Sequence, residues 1–237
     1  MGVSSVEEVK MKKLTFTLIS LVGSFYATSV WADNAKYTPS DYTMTPEAEI
    51  ALARSAAPDK ISSRATVKIL SSAGYVEAAK GDNGFTCIVM RGWSIPFIRK
   101  PQYYAKTRAP ICYDAIASRT ILPYQELCAK LGLEGKSLED INREVAMAYT
   151  LGELPRIESV SFAYMWSADQ DLGPEAKHWH PHMMVYAPYY KNSTLGDPEP
   201  GMLPFVSPDA GTPFAIVIIP VDENQAVKAK VTQPSAH

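Results

Sequence analysis

Three of the four histidines of this chain stand within five residues, His178-Trp179-His180-Pro181-His182. Pro181 has no backbone N–H and biases His180 away from helix, so the segment is expected to be extended. Alternate side chains of an extended segment share a face, which would aim all three imidazoles the same way. An H-x-H pair on a strand brings two neutral imidazoles onto one ion. Zinc or another divalent transition metal is the cofactor this implies, and no other cofactor is demanded. Asp169, Asp171 and Glu175 precede the motif closely enough to supply a third ligand or to orient the imidazoles from behind. The chemistry would then be metal-assisted hydrolysis, with His178, His180 and His182 as ligands.

A structural reading competes with this, because buried histidines are commonly satisfied by backbone hydrogen bonds. The segment also lacks the glutamate that follows H-x-H in cupins. Met183 and Met184 stand where a metallo-β-lactamase pattern needs Asp and His. No H-E-x-x-H, G-x-S-x-G, G-x-x-x-x-G-K-[ST] or G-x-G-x-x-G motif occurs. Catalytic residues are left unassigned.

A second stretch, 91–108, mixes Arg91, Arg99, Lys100, Lys106 and Arg108 with Trp93, Phe97, Tyr103 and Tyr104. Charge and stacking there could grip an anionic or sugar-like ligand, with Arg91, Trp93, Arg99, Lys100, Tyr103 and Tyr104 as the binding candidates. A solvated loop anchored by its aromatics is the alternative. Three cysteines, Cys87, Cys112 and Cys128, permit three pairings. Cys128 shares a helical face with Leu127 and Leu131 and reads as a small core residue, so Cys87–Cys112 is the expected bridge.

The elements that must position these residues follow from period and turn chemistry. Asp33–Thr45 reads as an extended arm. Thr45-Pro46-Glu47-Ala48-Glu49 is a helix start, running to about Ala56 before Pro58, with Asp59–Ser63 extending it or opening a short second helix. Ala65–Leu70, Tyr75–Ala79 and Phe85–Met90 are β-leaning runs separated by turns, read as a three-stranded meander, with a helix over 62–73 as the rival. Residues 92–110 read as a loop with three prolines. Two helices follow: Pro123–Leu131, closed by Gly132, and Ser137–Leu151, capped by Ser137 and ended by Gly152. Ser159–Trp166, Met183–Tyr186 and Phe214–Val221 are of strand length. Between the last two lies 187–213, with six prolines, long enough to suggest a functional loop or a surface wrap. Strands around a helical block, without βαβ rhythm, indicate an α+β fold with a mixed or antiparallel sheet, in one domain or two lobes.

The amino-terminal segment implies a compartment. Lys12 and Lys13 precede an uncharged run, Leu14–Val30, that ends in Val30-Trp31-Ala32 before Asp33. This is the make-up of a secretory signal peptide, residues 1–32, with 1–10 an upstream extension and 33–237 the globular mature chain. Its length and lack of a far-side positive stop argue against a retained membrane span. Without Lys10, Lys12, Lys13, Glu7 and Glu8, the 23 basic and 25 acidic residues become 20 and 23. That mildly acidic balance argues against nucleic acid as a partner.

Several stretches carry a resemblance. They are Ala65–Trp93 with Gly84-Phe85-Thr86-Cys87, then Arg108-Ala109-Pro110-Ile111-Cys112-Tyr113-Asp114 with Arg119-Thr120-Ile121-Leu122-Pro123, and His180-Pro181-His182-Met183-Met184 followed by Ala187-Pro188-Tyr189. Together they resemble a family of uncharacterised secreted bacterial proteins. The resemblance implies a Gram-negative host and export as a type II secretion substrate, with the secretion machinery as a transit partner. It implies no catalytic residues. The expectation is a secreted protein, periplasmic in transit or extracellular, that acts as an effector or binds an extracellular protein or glycan; the alternative is the metal-dependent hydrolase.

Overall fold

A computed structural model describes residues 38–94, 104–157, 159–173, 177–198, 204–207 and 209–230. The described residues open with a single helical turn, α1 (Pro39–Tyr42), within the expected extended arm, whose residues 33–37 lie outside them. Thr38 and Asp41 satisfy each other's backbone donors there, which is enough to close one turn. Helix α2 (Pro46–Arg54) begins as its sequence requires: the Thr45 hydroxyl accepts from the Ala48 N–H, Pro46 needs no donor, and Glu47 and Glu49 face the positive helix end. Pro58 separates it from the short α3 (Asp59–Ser62).

Among the described residues eight strands then build one mixed sheet: β1 (Thr66–Ser71), β2 (Gly74–Ala79), β3 (Thr86–Met90), β4 (Ala109–Tyr113), β5 (Ser161–Met165), β6 (His182–Tyr186), β7 (Phe205–Val206) and β8 (Ile216–Pro220). Their order is β2-β1-β3-β4-β5-β6-β8-β7. Between β4 and β5 come α4 (Ala117–Thr120), α5 (Leu122–Leu133) and α6 (Leu138–Leu151). The α+β architecture with a helical block between two groups of strands is therefore present. Among the described residues no helix is long and apolar enough to cross a membrane.

The first three strands are not a meander. β1 and β2 form an antiparallel hairpin, but β3 lies on the other side of β1 and runs parallel to it. The chain leaves β2 beside the start of β1 and passes beneath that start to reach β3. Gly81 makes the passage possible: a Cβ there would lie 2.2 Å from the Thr66 nitrogen and 2.4 Å from the Arg64 carbonyl oxygen. Bonds from Asp82 N–H to the Arg64 carbonyl (3.0 Å) and from Thr66 N–H to the Phe85 carbonyl (2.9 Å) secure the crossing. The rival helix over 62–73 is also absent, since the chain is extended from Thr66 onward.

Both faces of the central strands are covered, which is why β3 and β4 are buried at every position. Helix α2 packs on Val67, Cys87, Val89 and Cys112 on one side. On the other, Ile88, Met90, Ile111 and Tyr113 meet Ala117, Ile121 and Leu122 from the α4–α5 region. The expected 92–110 loop ends in β4 instead, a strand that Pro110 hides in the sequence and that pairs with β3 in the register Val89–Pro110. Helix α5 continues through Gly132 rather than ending at it. The ring of Trp93 occupies the space a Cβ at 132 would fill, 2.3 Å from its Cδ2, so this glycine serves packing and not termination. Helix α6 behaves as read, with the Ser137 hydroxyl accepting from Asp140 N–H and Gly152 left-handed at its end.

Cys87 and Cys112 stand directly opposite each other in the β3–β4 register and are bridged. Cys128 is a buried free thiol. Burial pushes its pKa up to about 12, so it is protonated and no nucleophile.

Candidate functional site

The register of β6 decides what the histidines do. β6 begins pairing at His182, opposite Met165 of β5 and Pro220 of β8. Alternation along it turns His182, Met184 and Tyr186 into the core. His182 is only 4% exposed. Its Nδ1 lies 2.8 Å from the His180 carbonyl oxygen, and the Trp179 ring stands edge-on to it at 4.6 Å between centroids. Burial lowers its pKa to about 4, so the imidazole is neutral near pH 7.

His180 faces the other way. Its side chain is 58% exposed and its Nδ1 lies 2.8 Å from Oε1 of Glu223, in the turn that follows β8. His178 is exposed as well. The expected common face for the three imidazoles is thus not formed. Period-two alternation holds only within a paired strand, and the pairing starts at the third histidine.

The nearby acids are engaged by backbone. Asp169 Oδ2 accepts from Ala229 N–H at 2.7 Å, fastening the carboxyl-terminal segment, and Asp171 Oδ1 accepts from Gly173 N–H at 2.8 Å, closing a turn. Glu175 lies outside the described residues. Among the described residues no group of three His, Cys, Asp or Glu side chains is arranged to hold a metal ion. Sequence reasoning missed Glu223 and Gln170. Glu223 becomes visible only when β8 is placed in register beside β6. Gln170 is buried, its amide donates to the Trp179 carbonyl, and its Oε1 has no hydrogen-bond partner. The His180–Glu223 contact orients the exposed imidazole toward the turn after β8.

The 91–108 stretch is also turned to other work. Arg91 is buried, where it donates from Nε to the Tyr42 carbonyl (2.8 Å), from Nη2 to Glu49 Oε1 (2.9 Å) and from Nη1 to the Val89 carbonyl. Glu49 in turn accepts from Leu70 N–H at 3.0 Å. One guanidinium therefore ties α1, α2 and β3 together, with β1 joined through the carboxylate. Burial raises the Glu49 pKa, while Arg91 and the Leu70 amide oppose that rise. Trp93 is buried against Tyr42, 4.4 Å between centroids, and against Gly132. Arg108 donates to the carbonyls of Ala105 and Thr107; burial and then the neighbouring Arg91 charge lower its pKa to about 10, which leaves it cationic at neutral pH. Tyr104 is half-buried. Arg99, Lys100 and Tyr103 lie outside the described residues. Arg91 and Trp93, two of the expected ligand contacts, are core residues instead.

In the long connection after β6 the described stretches, 187–198, 204–207 and 209–213, are tied to one another by backbone bonds; the rest of 187–213 lies outside the described residues. Tyr189 N–H donates to the Thr212 carbonyl (2.8 Å), Gly211 N–H to the Tyr190 carbonyl (2.7 Å) and Val206 N–H to Oδ1 of Asn192 (2.8 Å). Leu195 packs against the buried cluster of Ala187, Val206, Ala215 and Val217. β7, absent from the sequence reading, adds two residues to the sheet through β8. The bracing leaves Tyr189 65% and Tyr190 40% exposed, and Tyr189 sits at φ 67°.

No family model matches the chain, no curated protein is significantly similar to it, and no solved structure matches it.

Proposed function

We propose that this chain is an exported, disulfide-braced binding protein that works without a catalytic metal. One observation carries the choice between the two function classes. The side chains that the metal reading requires are already committed: His182 to the core, Asp169 and Asp171 to backbone amides. A metal-dependent hydrolase built on His178, His180 and His182 would have to withdraw His182 from beneath Trp179, at the cost of a packed ring and a hydrogen bond. The binding surface is the 187–213 connection, whose backbone is fastened at its root and whose tyrosines face outward.

Two features support export: the leader-like composition of residues 11–32 and a buried disulfide, which persists best in an oxidising compartment. Passage through the periplasm of a Gram-negative host, with a type II secretion machinery as transit partner, fits the family resemblance. An extracellular protein or glycan is the partner class. Intact-mass measurement on protein from the periplasm and medium of such a host tests the export reading. The expected species starts at Asp33 and carries the mass of an oxidised Cys87–Cys112 chain. A cytoplasmic species that keeps Met11 and three free thiols would overturn it.

A further inference from the structure

We infer that the turn at Tyr189–Tyr190 is a carbohydrate-binding site, with a hexopyranose oligosaccharide as its ligand. The inference deepens the binding reading above and depends on it. Tyr189 adopts φ 67°, a left-handed conformation that a bulky L-residue reaches only at a steric cost. Among the described residues the other non-glycine positions with positive φ are Lys177 and Asp197, and Asp tolerates it through its short polar side chain. Tyr189 gains little in return, because 65% of it stays in water. An unfavourable backbone state held by surrounding bonds, on a side chain that stays mostly in water, points to function rather than stability.

The surrounding structure holds the strain in place. The Tyr189 amide is bound to the Thr212 carbonyl and the Tyr190 carbonyl to the Gly211 amide, so the two backbones are fastened on consecutive residues. Gly211 is left-handed and close to Lys191, whose Cε would lie 3.1 Å from a Cβ at 211. The rings are thus carried on a backbone that does not need to be ordered on binding, which removes part of the entropic cost of association.

The neighbourhood argues for sugar over a protein partner. The exposed side chains that follow the two tyrosines along the chain are polar: Lys191, Ser193, Thr194 and Asp197. The one large apolar residue of the adjacent 3₁₀ turn, Leu195, packs inward. A protein interface needs a contiguous apolar centre inside its polar rim. A pyranose presents a C–H face ringed by hydroxyls, and its complement is an isolated aromatic face among short hydrogen-bonding groups.

Isothermal titration of the full mature chain with cellopentaose, chitopentaose, maltopentaose and mannopentaose tests this. At least one of the four should bind. Tyr189→Ala and Tyr190→Ala should each weaken it by about tenfold, the equivalent of one stacking contact, while Tyr189→Phe keeps most of the affinity. Tyr189→Gly supplies the control for folding: relieved of the steric cost, it should melt at the same temperature or higher and still lose affinity. Absence of heat with all four sugars overturns the site, as does undiminished binding by the double alanine variant. Neither result touches the export reading, which rests on the mass and location of the chain.

Discussion

A histidine that must stay neutral to stay buried makes stability depend on pH. An unfolded His182 titrates near 6.5, while the folded one titrates at about 4. Between those values the unfolded chain binds the extra proton, so stability is complete above about pH 6.5 and falls as the pH drops toward 4. The expected loss between pH 7.5 and 4.5 attributable to this residue is about 2 kcal/mol. Urea melts of the wild type and His182→Leu at both pH values isolate it, because other carboxylates cancel in the difference. Equal pH slopes would show that His182 is not the buried neutral base described here. Arg91 makes a second residue-scale case. Removing it as Arg91→Met strands the Glu49 carboxylate, whose Oε2 already lacks a partner. The expected destabilisation is about 3–5 kcal/mol, partly recovered in the Arg91→Met, Glu49→Leu pair. None of this was legible in sequence: a histidine cluster and an arginine beside a tryptophan look the same whether they face solvent or core. Only the start of strand pairing and the position of α2 settle which way they point.

At the scale of elements, helix caps and turns were legible because their chemistry is local. Thr45, Ser137 and Gly152 each do what their types and positions require. Pairing order was not legible, because a tight turn after β2 says that the chain reverses or crosses but not on which side of β1 it continues. Gly81 decides that, through contacts with backbone and not with a flexible side chain. Gly81→Ala should therefore cost about 3 kcal/mol or more, beyond Gly132→Ala, where the Trp93 ring can shift. Thermal denaturation of the two variants orders them; the reverse ranking would contradict the close crossing. The Cys87–Cys112 bridge spans 25 residues of chain and closes β3 on β4. Its reduction should lower stability by about 2–4 kcal/mol. Chemical denaturation with and without reductant measures this, and a Cys112–Cys128 peptide in a non-reducing map would refute the register.

Among the described residues, one eight-stranded sheet organises the molecule, with helices over its first half and β7, from the connection after β6, at its far edge. The fold class was legible from strand runs that flank a helical block; β4 and β7 were not, being masked by a proline and by shortness. The candidate site was legible only as a location. The sequence marked the histidine segment, while its partner Glu223 and the turn of His182 into the core arise from three strands meeting in register. The central claim is that this segment is framework and not a metal centre. Its most direct measurement is elemental analysis of untagged chain purified without chelator, paired with thermal melts with and without chelator at pH 7.5. The account predicts less than about 0.1 equivalent of any transition metal and a melting temperature that chelator does not move. About one equivalent of zinc, lost together with thermal stability in His180→Ala, would contradict it.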